Sequence, residues 1–484
     1  MPAPQTSWRW CLVALAFVET LTASGIMFGW SAASLALQRE GVYAELCHNS
    51  SSAGAVCEAQ VLRLNAVYGS AATAMPISMF VWGPAMDRIG VRRTRVTSLL
   101  IFIGGALLFA LAGYDASSSV DAYTVAAVMI STGGGGFFLS HFIVAEHFRG
   151  THFGLVHTLL NGAFDSSTVT MVALEGANSA GLSLRGCFLS LAGLGCVYLA
   201  LTSDRVWRGL LSPPRYPSVR SLEPVSVTDP EVPPTDTAGM PMQYGKAMDL
   251  SQLTLAQQFC SPHFAAVALW ALLAIFRTMF VLGTIGVQLQ YNGGGRDSAR
   301  VEHFVRVFNW LILLSAPIGP AFGWLLDRYG TAAGFIVVIL LGAVADLGLG
   351  LGRAEAVLCV AFVCFGCFRA FNYATMTAYV QGVFGHASFG TLYGVGVGSV
   401  AAVCGFAQSP MTAWAIRNVK AGEWESLGSL NVGIVLVSLL LFGFPTWILW
   451  VGRSQPPKPL PSVPAASQLQ LAAAAAAAGG RDRL

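Results

Sequence analysis

The chain has 484 residues, of which 55% are hydrophobic and only 11% are charged. Soluble domains carry about 25% charged residues, so this composition excludes a water-soluble globular protein. The formal net charge of +3 is too small to indicate a nucleic-acid-binding surface. The sequence therefore predicts an all-α membrane protein whose surroundings are the lipid bilayer.

Twelve apolar stretches along the chain are long enough to cross a hydrocarbon core of ~30 Å, which takes about 20 helical residues. The stretches are continuously apolar and do not alternate, which favours helices over barrel strands. The first stretch is too long for a signal-peptide core, and we interpret it as a retained transmembrane helix. The predicted spans are 9–35, 62–85, 96–114, 122–146, 153–175, 185–205, 263–289, 302–325, 331–352, 356–381, 389–411 and 430–451.

The loop after the first span, residues 36–61, contains Cys47, Cys57 and the sequon that begins at Asn49. On the predicted topology this loop faces the oxidising side of the membrane. A Cys47–Cys57 disulfide and an N-linked glycan on Asn49 are expected there. The alternative is two free thiols and an unused sequon.

The spans group into an N-terminal six-helix bundle, residues 1–205, and a C-terminal six-helix bundle, residues 263–452. Between them, residues 206–262 are rich in Pro, Ser and Thr, which predicts a mostly disordered cytoplasmic linker. Residues 453–484 are expected to form a disordered cytoplasmic tail. Both termini are placed in the cytoplasm by the positive-inside tendency, and the strongest anchor is the cluster Arg88, Arg92, Arg93 and Arg95.

A short motif occurs twice, each time after the second span of a half. The copies are Gly83-x-x-x-Asp87-Arg88-x-Gly90 and Gly323-x-x-x-Asp327-Arg328-x-Gly330. If the aspartate of the motif forms a bond in only one arrangement of the helices, that bond acts as a latch between two states of the bundle. Simple positive-inside anchoring accounts for the arginines but not for the repeated Gly-x-x-x-Asp spacing.

A second repeat begins the fifth and eleventh spans, where Phe148-x4-Phe153-Gly154 recurs as Phe384-x4-Phe389-Gly390. Two repeats in register indicate two homologous halves. The repeated motif resembles the one that the major facilitator superfamily carries between its second and third helices. The resemblance implies twelve transmembrane helices in two pseudo-symmetric six-helix bundles that alternate access to a central site.

Charged residues inside the spans are the main candidates for a substrate site, because an unpaired charge is costly in a bilayer. Glu19 and Arg277 lie at corresponding depths of the first and seventh spans, and each is followed by Thr. They are expected to face each other across the central axis if both point inward. Arg277 or Arg369 would bind a carboxylate or a carbonyl, and Glu19 or Asp165 an ammonium or a ring N–H.

The alternative for these charges is mutual neutralisation, in which buried pairs hold helices together. Asp346 is interpreted as structural, and Arg306 as a residue that snorkels to the interface. Tyr373 is a candidate for stacking on a planar substrate. No metal site is expected, since Cys364-x-x-Cys367 lacks a second pair of ligands, and no cofactor is predicted.

Several strings resemble the solute carrier 43 family, which holds large neutral amino acid facilitators and an equilibrative nucleobase transporter. Arg277, in Ile275-Phe276-Arg277, is similar to the amino acid branch. The strings 161–167 and 181–185 are similar to the nucleobase branch. Further similar strings are Glu19 with Phe28-Gly29-Trp30, Arg369-x-Phe371-x-Tyr373 and Phe389-Gly390-Thr391-Leu392.

The resemblance implies a uniporter, and the cation predicted at Arg277 suits the carboxylate of a zwitterion. The leading hypothesis is facilitative uniport of large neutral amino acids, with nucleobase transport as the alternative. A non-transporting nutrient sensor on the same fold is the alternative class. An enzyme is not expected, because the chain contains no His-Glu-x-x-His metalloprotease motif. Proton coupling stays open, and a monomer in the plasma membrane is expected.

Overall fold

The computed structural model describes residues 4–47, 58–113, 121–203, 250–292, 298–312, 314–352, 354–420 and 425–452. Within these ranges the chain is helical and contains no strand. The helices of ten or more residues are α1 Pro4–Ala23, α2 Trp30–Arg39, α3 Glu58–Ile89, α4 Val91–Leu111, α5 Ala122–His141, α6 Phe153–Ser166, α7 Thr168–Ser179, α8 Leu184–Ser203, α9 Pro262–Asn292, α10 Ser298–Ile312, α11 Ser315–Leu351, α12 Glu355–Phe384, α13 Gly398–Lys420, α14 Glu425–Leu440 and α15 Gly443–Gly452.

Among the described residues, eight helical stretches are long and apolar enough to cross a membrane. The pair α1 and α2, bent by 47° between its two parts, makes a ninth. One of the eight, His303–Leu351, has 49 residues, or roughly 70 Å of helix, and contains two of the predicted spans. The all-helical membrane fold is confirmed, and the count of twelve spans stays a prediction.

The last glycine of each repeated motif breaks a helix in the same way. Gly90 separates α3 from α4 with φ of 89° and ψ of 154°. Gly330 kinks α11 with φ of 81° and ψ of 174°. Residues that have a Cβ atom rarely adopt such positive φ values. The turn between two successive spans therefore requires a glycine at this position.

The two halves of the chain contact each other through pseudo-symmetric elements. Helix α3 packs against the start of the eleventh predicted span and α13, while α6 packs against α11 and α12. One large apolar cluster joins the halves and includes Met79, Trp82 and Phe389. A second cluster lies within the N-terminal half. We call the end of the bundle that carries Asp87 and Asp327 the motif side.

Several predicted features fall wholly or partly outside the described residues. Cys47 takes part in a disulfide bond, but Cys57 and Asn49 are not described, so their pairing and modification stay predictions. Most of the predicted linker and all of the predicted tail are likewise not described. The linker's described end begins with a 3-10 turn, Leu250–Gln252, followed by a short helix, Leu255–Phe259.

Candidate functional site

An ion pair connects the two halves in the middle of the bundle. Asp165 lies in the last turn of α6, and Arg369 lies in the middle of α12. The guanidinium Nη2 donates to Asp165 Oδ1 at 3.0 Å. The Asp165 and Arg369 side chains keep 10% and 14% of their surface exposed, respectively, so the pair is only partly buried.

Three tyrosines lie within electrostatic range of this ion pair. Tyr68, on α3, and Tyr373, one turn after Arg369, both lie within electrostatic reach of the guanidinium. Tyr393 lies within reach of Asp165 and Tyr373. Tyr68 is also backed by Trp30, with ring centroids 6.3 Å apart and planes at 21°. The site therefore combines the Asp165 carboxylate as a hydrogen-bond acceptor, the Arg369 guanidinium as a cationic donor and several aromatic rings. This set suits a small polar organic molecule.

Toward the motif side, neutral polar groups continue the contact between α6 and α12. Asn161 Nδ2 donates to Thr377 Oγ1 at 3.1 Å, and His157 Nδ1 lies 3.0 Å from the same hydroxyl. All three side chains are buried. Because α6 residues four apart lie on one face of the helix, Asp165, Asn161 and His157 form one polar stripe along the junction of the halves.

Glu19 does not face Arg277. It is fully buried inside the N-terminal half, where Oε2 lies 2.6 Å from Arg95 Nη2 and 2.9 Å from His141 Nε2. Arg95 Nε also donates to Thr202 Oγ1 at 2.7 Å. Arg95 was predicted to act with the other arginines of the basic cluster as a cytoplasmic anchor, and this was wrong: its side chain is fully buried in the bundle, where the Glu19 carboxylate neutralises it and His141 Nε2 lies 2.9 Å from its Nη1.

Arg277 is also paired within its own half. Its Nη2 lies 2.5 Å from Asp346 Oδ2, and its Nη1 donates to Ser438 Oγ at 2.6 Å. The Phe368 ring lies below the guanidinium carbon at 4.5 Å. The void beside Arg277 has a volume of only about 10 Å³, which is space for about one water. The expected Glu19–Arg277 pair across the axis is therefore not observed.

The two sequence repeats meet each other across the halves. Asp87 accepts the backbone N–H groups of Gly390 at 3.0 Å and Thr391 at 2.6 Å. Asp327 accepts those of Gly154 at 2.5 Å and Leu155 at 3.1 Å. Each aspartate thus caps the first turn of a helix in the opposite half, where unpaired N–H groups and the helix dipole favour a carboxylate.

The first glycine of each motif allows this close approach. A Cβ on Gly83 would collide with the carbonyl of Gly390, and one on Gly323 would lie 2.6 Å from Leu155 Cα. The spacing Gly-x-x-x-Asp therefore places a flat surface and a carboxylate one turn apart on the same helix face. Arg88 and Arg328 remain exposed at the surface of the motif side.

Sequence reasoning missed several of these residues. Tyr68 and Tyr393 carry no charge, and a tyrosine in an apolar span is more often a packing or interface residue. His141 and His157 lie in apolar runs with no motif around them. The one available signal was their polarity at membrane depth.

The sequence profile of the Major Facilitator Superfamily matches residues 12–408. Two curated relatives align over nearly the whole chain. Protein FMP42 of Saccharomyces cerevisiae is 24% identical over 501 residues, covering 90% of this chain and 94% of that protein. Equilibrative nucleobase transporter 1 of Bos taurus is 22% identical over 470 residues, covering 88% and 93%.

Solved structures show the same fold. The human organic anion transporter MFSD10 (TETRAN) aligns with a TM-score of 0.60 and 18% identity, covering 91% of this chain and 100% of that chain. The proton:xylose symporter XylE aligns with a TM-score of 0.59 and 12% identity, covering 92% and 96%. At these identities the likeness concerns the fold alone.

Proposed function

Because the chain belongs to the Major Facilitator Superfamily, we propose that it carries one small polar organic solute by alternating access between its two halves. The protein is an integral membrane transporter and not an enzyme. Its halves meet at Asp165 and Arg369, and this contact is the observation that carries the proposal. A site that both halves share is exposed to one side or the other as the halves rock.

Asp165, Arg369 and Tyr373 are the proposed substrate-binding residues, joined by Tyr68 and Tyr393. Accessibility separates them from the other charges. Glu19 and Arg95 have no exposed side-chain surface, and Arg277 and Asp346 have 6% and 3%. We assign Glu19 and Arg277 to the stabilisation of their own halves.

The proposed substrate is a nucleobase. Asp165 would accept a ring N–H or an exocyclic amine, Arg369 would donate to a carbonyl or ring nitrogen, and tyrosine faces would stack on the planar ring. The relative named equilibrative nucleobase transporter 1 supports this choice. The argument for an amino acid rested on a free cation at Arg277, which Asp346 neutralises.

A large neutral amino acid is the second candidate, because an adjacent carboxylate and guanidinium complement a zwitterion. The resemblance to the solute carrier 43 family includes both branches. The proposal places the motif side and both termini in the cytoplasm, in agreement with the basic residues of the motif. We further propose that the protein is a monomer in the plasma membrane. The proposal includes a Cys47–Cys57 disulfide and a glycan on Asn49.

The test is uptake of radiolabelled adenine, hypoxanthine, leucine and phenylalanine into proteoliposomes. We expect saturable uptake of a purine that unlabelled purine inhibits and that protein-free vesicles lack. Uptake of leucine or phenylalanine without purine uptake would select the amino acid branch. Saturable binding without flux of any of the four would contradict a carrier and favour a sensor.

A further inference from the structure

Another polar contact joins the halves on the motif side, in addition to the aspartate caps. It involves the segment after α5 and the end of α12. Arg149 Nη2 donates to the carbonyl of Gln381 at 3.0 Å, and Nη1 lies 3.5 Å from the carbonyl of Gly382. Both carbonyls belong to the last turns of α12. The carbonyl end of a helix carries partial negative charge, which attracts a cation.

The arginine is held in this direction by its neighbour. Glu146 accepts from Arg149 Nε at 2.9 Å and from Nη2 at 2.7 Å. The same carboxylate accepts from Gln381 Nε2 at 2.8 Å. The Glu146 side chain is 4% exposed and that of Arg149 is 20% exposed, so this contact is partly shielded from water and less weakened by salt than a fully exposed pair.

The end of α12 is itself anchored to the described end of the linker. Gln258, in the short helix Leu255–Phe259, is buried and donates through Nε2 to the carbonyl of Leu250 at 2.8 Å, with the carbonyl of Phe384 at 3.4 Å. A contact made at this end therefore acts on a fixed part of the C-terminal half and not on a frayed turn.

Unlike the aspartate caps, this contact has no symmetric copy in the part of the chain that the structure describes. The repeat that aligns Phe148 with Phe384 and Phe153 with Phe389 places Glu146 opposite Gly382 and Arg149 opposite Gly385. Glycine has no side chain to pair, so the C-terminal half provides only carbonyls and Gln381. Among the described residues, the motif side thus has two symmetric caps and, in addition, this asymmetric contact.

We propose that Arg149, oriented by Glu146, is a one-sided clamp that sets the resting balance between the two access states. The clamp bonds α12 only when the motif side is closed, so its removal shifts the population toward the state open on that side. This inference rests on the proposed alternating access, but it concerns a residue outside the substrate site and needs no knowledge of the substrate.

The test measures the distance between the halves directly. Spectroscopic probes are placed at Ile89 and Tyr329, the exposed residues directly before the last glycine of each motif, and distance distributions are recorded in nanodiscs without substrate. Arg149→Ala removes a charge-assisted bond, and we expect the ratio of long to short distances to rise about tenfold. Arg149→Lys should shift it less, because the charge remains.

Arg92→Ala is the matched control, since Arg92 is an exposed arginine on the same side, and it should leave the distribution unchanged. Gln381→Met serves as the second variant if Arg149→Ala does not fold. It removes the amide bond to Glu146 with little change in volume, and it should shift the ratio in the same direction. Folded variants with the wild-type distribution would overturn the clamp.

Failure of the clamp and failure of the carrier proposal have different signatures. An unchanged distance distribution together with saturable uptake by the wild type contradicts the clamp alone. A shifted distribution in a protein that binds but does not move the four solutes supports the clamp and contradicts the carrier.

Discussion

Three of the ion pairs among the described residues differ in which elements they connect and in how much surface they retain. Glu19 pairs with Arg95, and Arg277 pairs with Asp346, each within one half. In these two pairs no side chain is more than 6% exposed. The Asp165–Arg369 pair lies between halves and keeps some exposed surface. A charge is useful for binding only if a ligand can reach it. The presence of a charged residue at membrane depth is therefore not enough to assign it to a substrate site, and its accessibility must also be known.

Replacement of Arg369 by Ala is expected to abolish efficient transport. The change removes the partly exposed guanidinium and leaves Asp165 without its partner. Losing a charge-assisted contact costs about 1.5–3 kcal/mol, or roughly 10- to 100-fold in transport efficiency. The measurement is initial uptake over a range of substrate concentrations, with Arg92→Ala as the expression control. Wild-type efficiency in a folded Arg369→Ala protein would remove Arg369 from the site.

The Arg277–Asp346 pair leads to the opposite expectation. Arg277→Ala or Asp346→Asn alone leaves one buried polar group unmatched, and breaking such a pair costs about 3–5 kcal/mol. The double variant removes both charges and should recover much of the lost thermal stability in detergent, together with transport. A double variant that is as stable as the wild type but inactive would show that Arg277 acts on substrate.

At the scale of elements, the repeated motif is a device for joining two helices of opposite halves. Glycine brings α3 close to the turn that starts at Phe389, and aspartate one turn later caps it. The same arrangement connects α11 to α6. The caps exist only while these helix pairs touch, so the halves cannot separate on the motif side without losing both.

Asp87→Asn and Asp327→Asn each keep one acceptor oxygen but lose the charge and part of the paired cap. A weaker cap favours opening of the motif side and slows return to the closed state. We expect a several-fold lower maximal rate with a smaller change in KM, since neither residue touches the substrate site. Concentration-dependent uptake by the two variants tests this, and Gly83→Val should fail more severely because it prevents the helix contact. Equal maximal rates in both Asn variants would leave the motif only an anchoring role.

For the whole molecule, the sequence allowed prediction of the helical membrane fold and its two-fold repeat because both depend on local patterns. Apolar runs are visible in the sequence without knowledge of how each helix is rotated. The same holds for the two copies of the motif, which contain Asp87 and Asp327. The partners of Glu19 and Arg277 could not be read in this way. Successive residues of a helix point in directions that differ by about 100°. The rotation of the helix about its axis therefore decides whether Glu19 points to Arg95 or to the central axis.

The arrangement of charges across the molecule also bears on proton coupling. A proton-driven carrier needs an acid that both sides reach in turn and that gains and loses a proton during the cycle. Glu19 and Asp346 are sealed by Arg95 and Arg277, and Asp165 is neutralised by Arg369. Glu19, Asp346 and Asp165 therefore each have a basic partner, whose charge opposes the cost of burying the ionised carboxylate.

We accordingly expect uniport. In proteoliposomes, an imposed pH gradient should leave the steady-state substrate level equal on both sides, and a protonophore should not change the initial rate. Preloaded unlabelled substrate should stimulate uptake of label by exchange, since reorientation of a loaded carrier needs no other ion. Accumulation above the external concentration that collapses with a protonophore would contradict uniport. In that case Asp165→Asn is the variant to examine, because Asp165 is the acid that an incoming substrate would separate from Arg369.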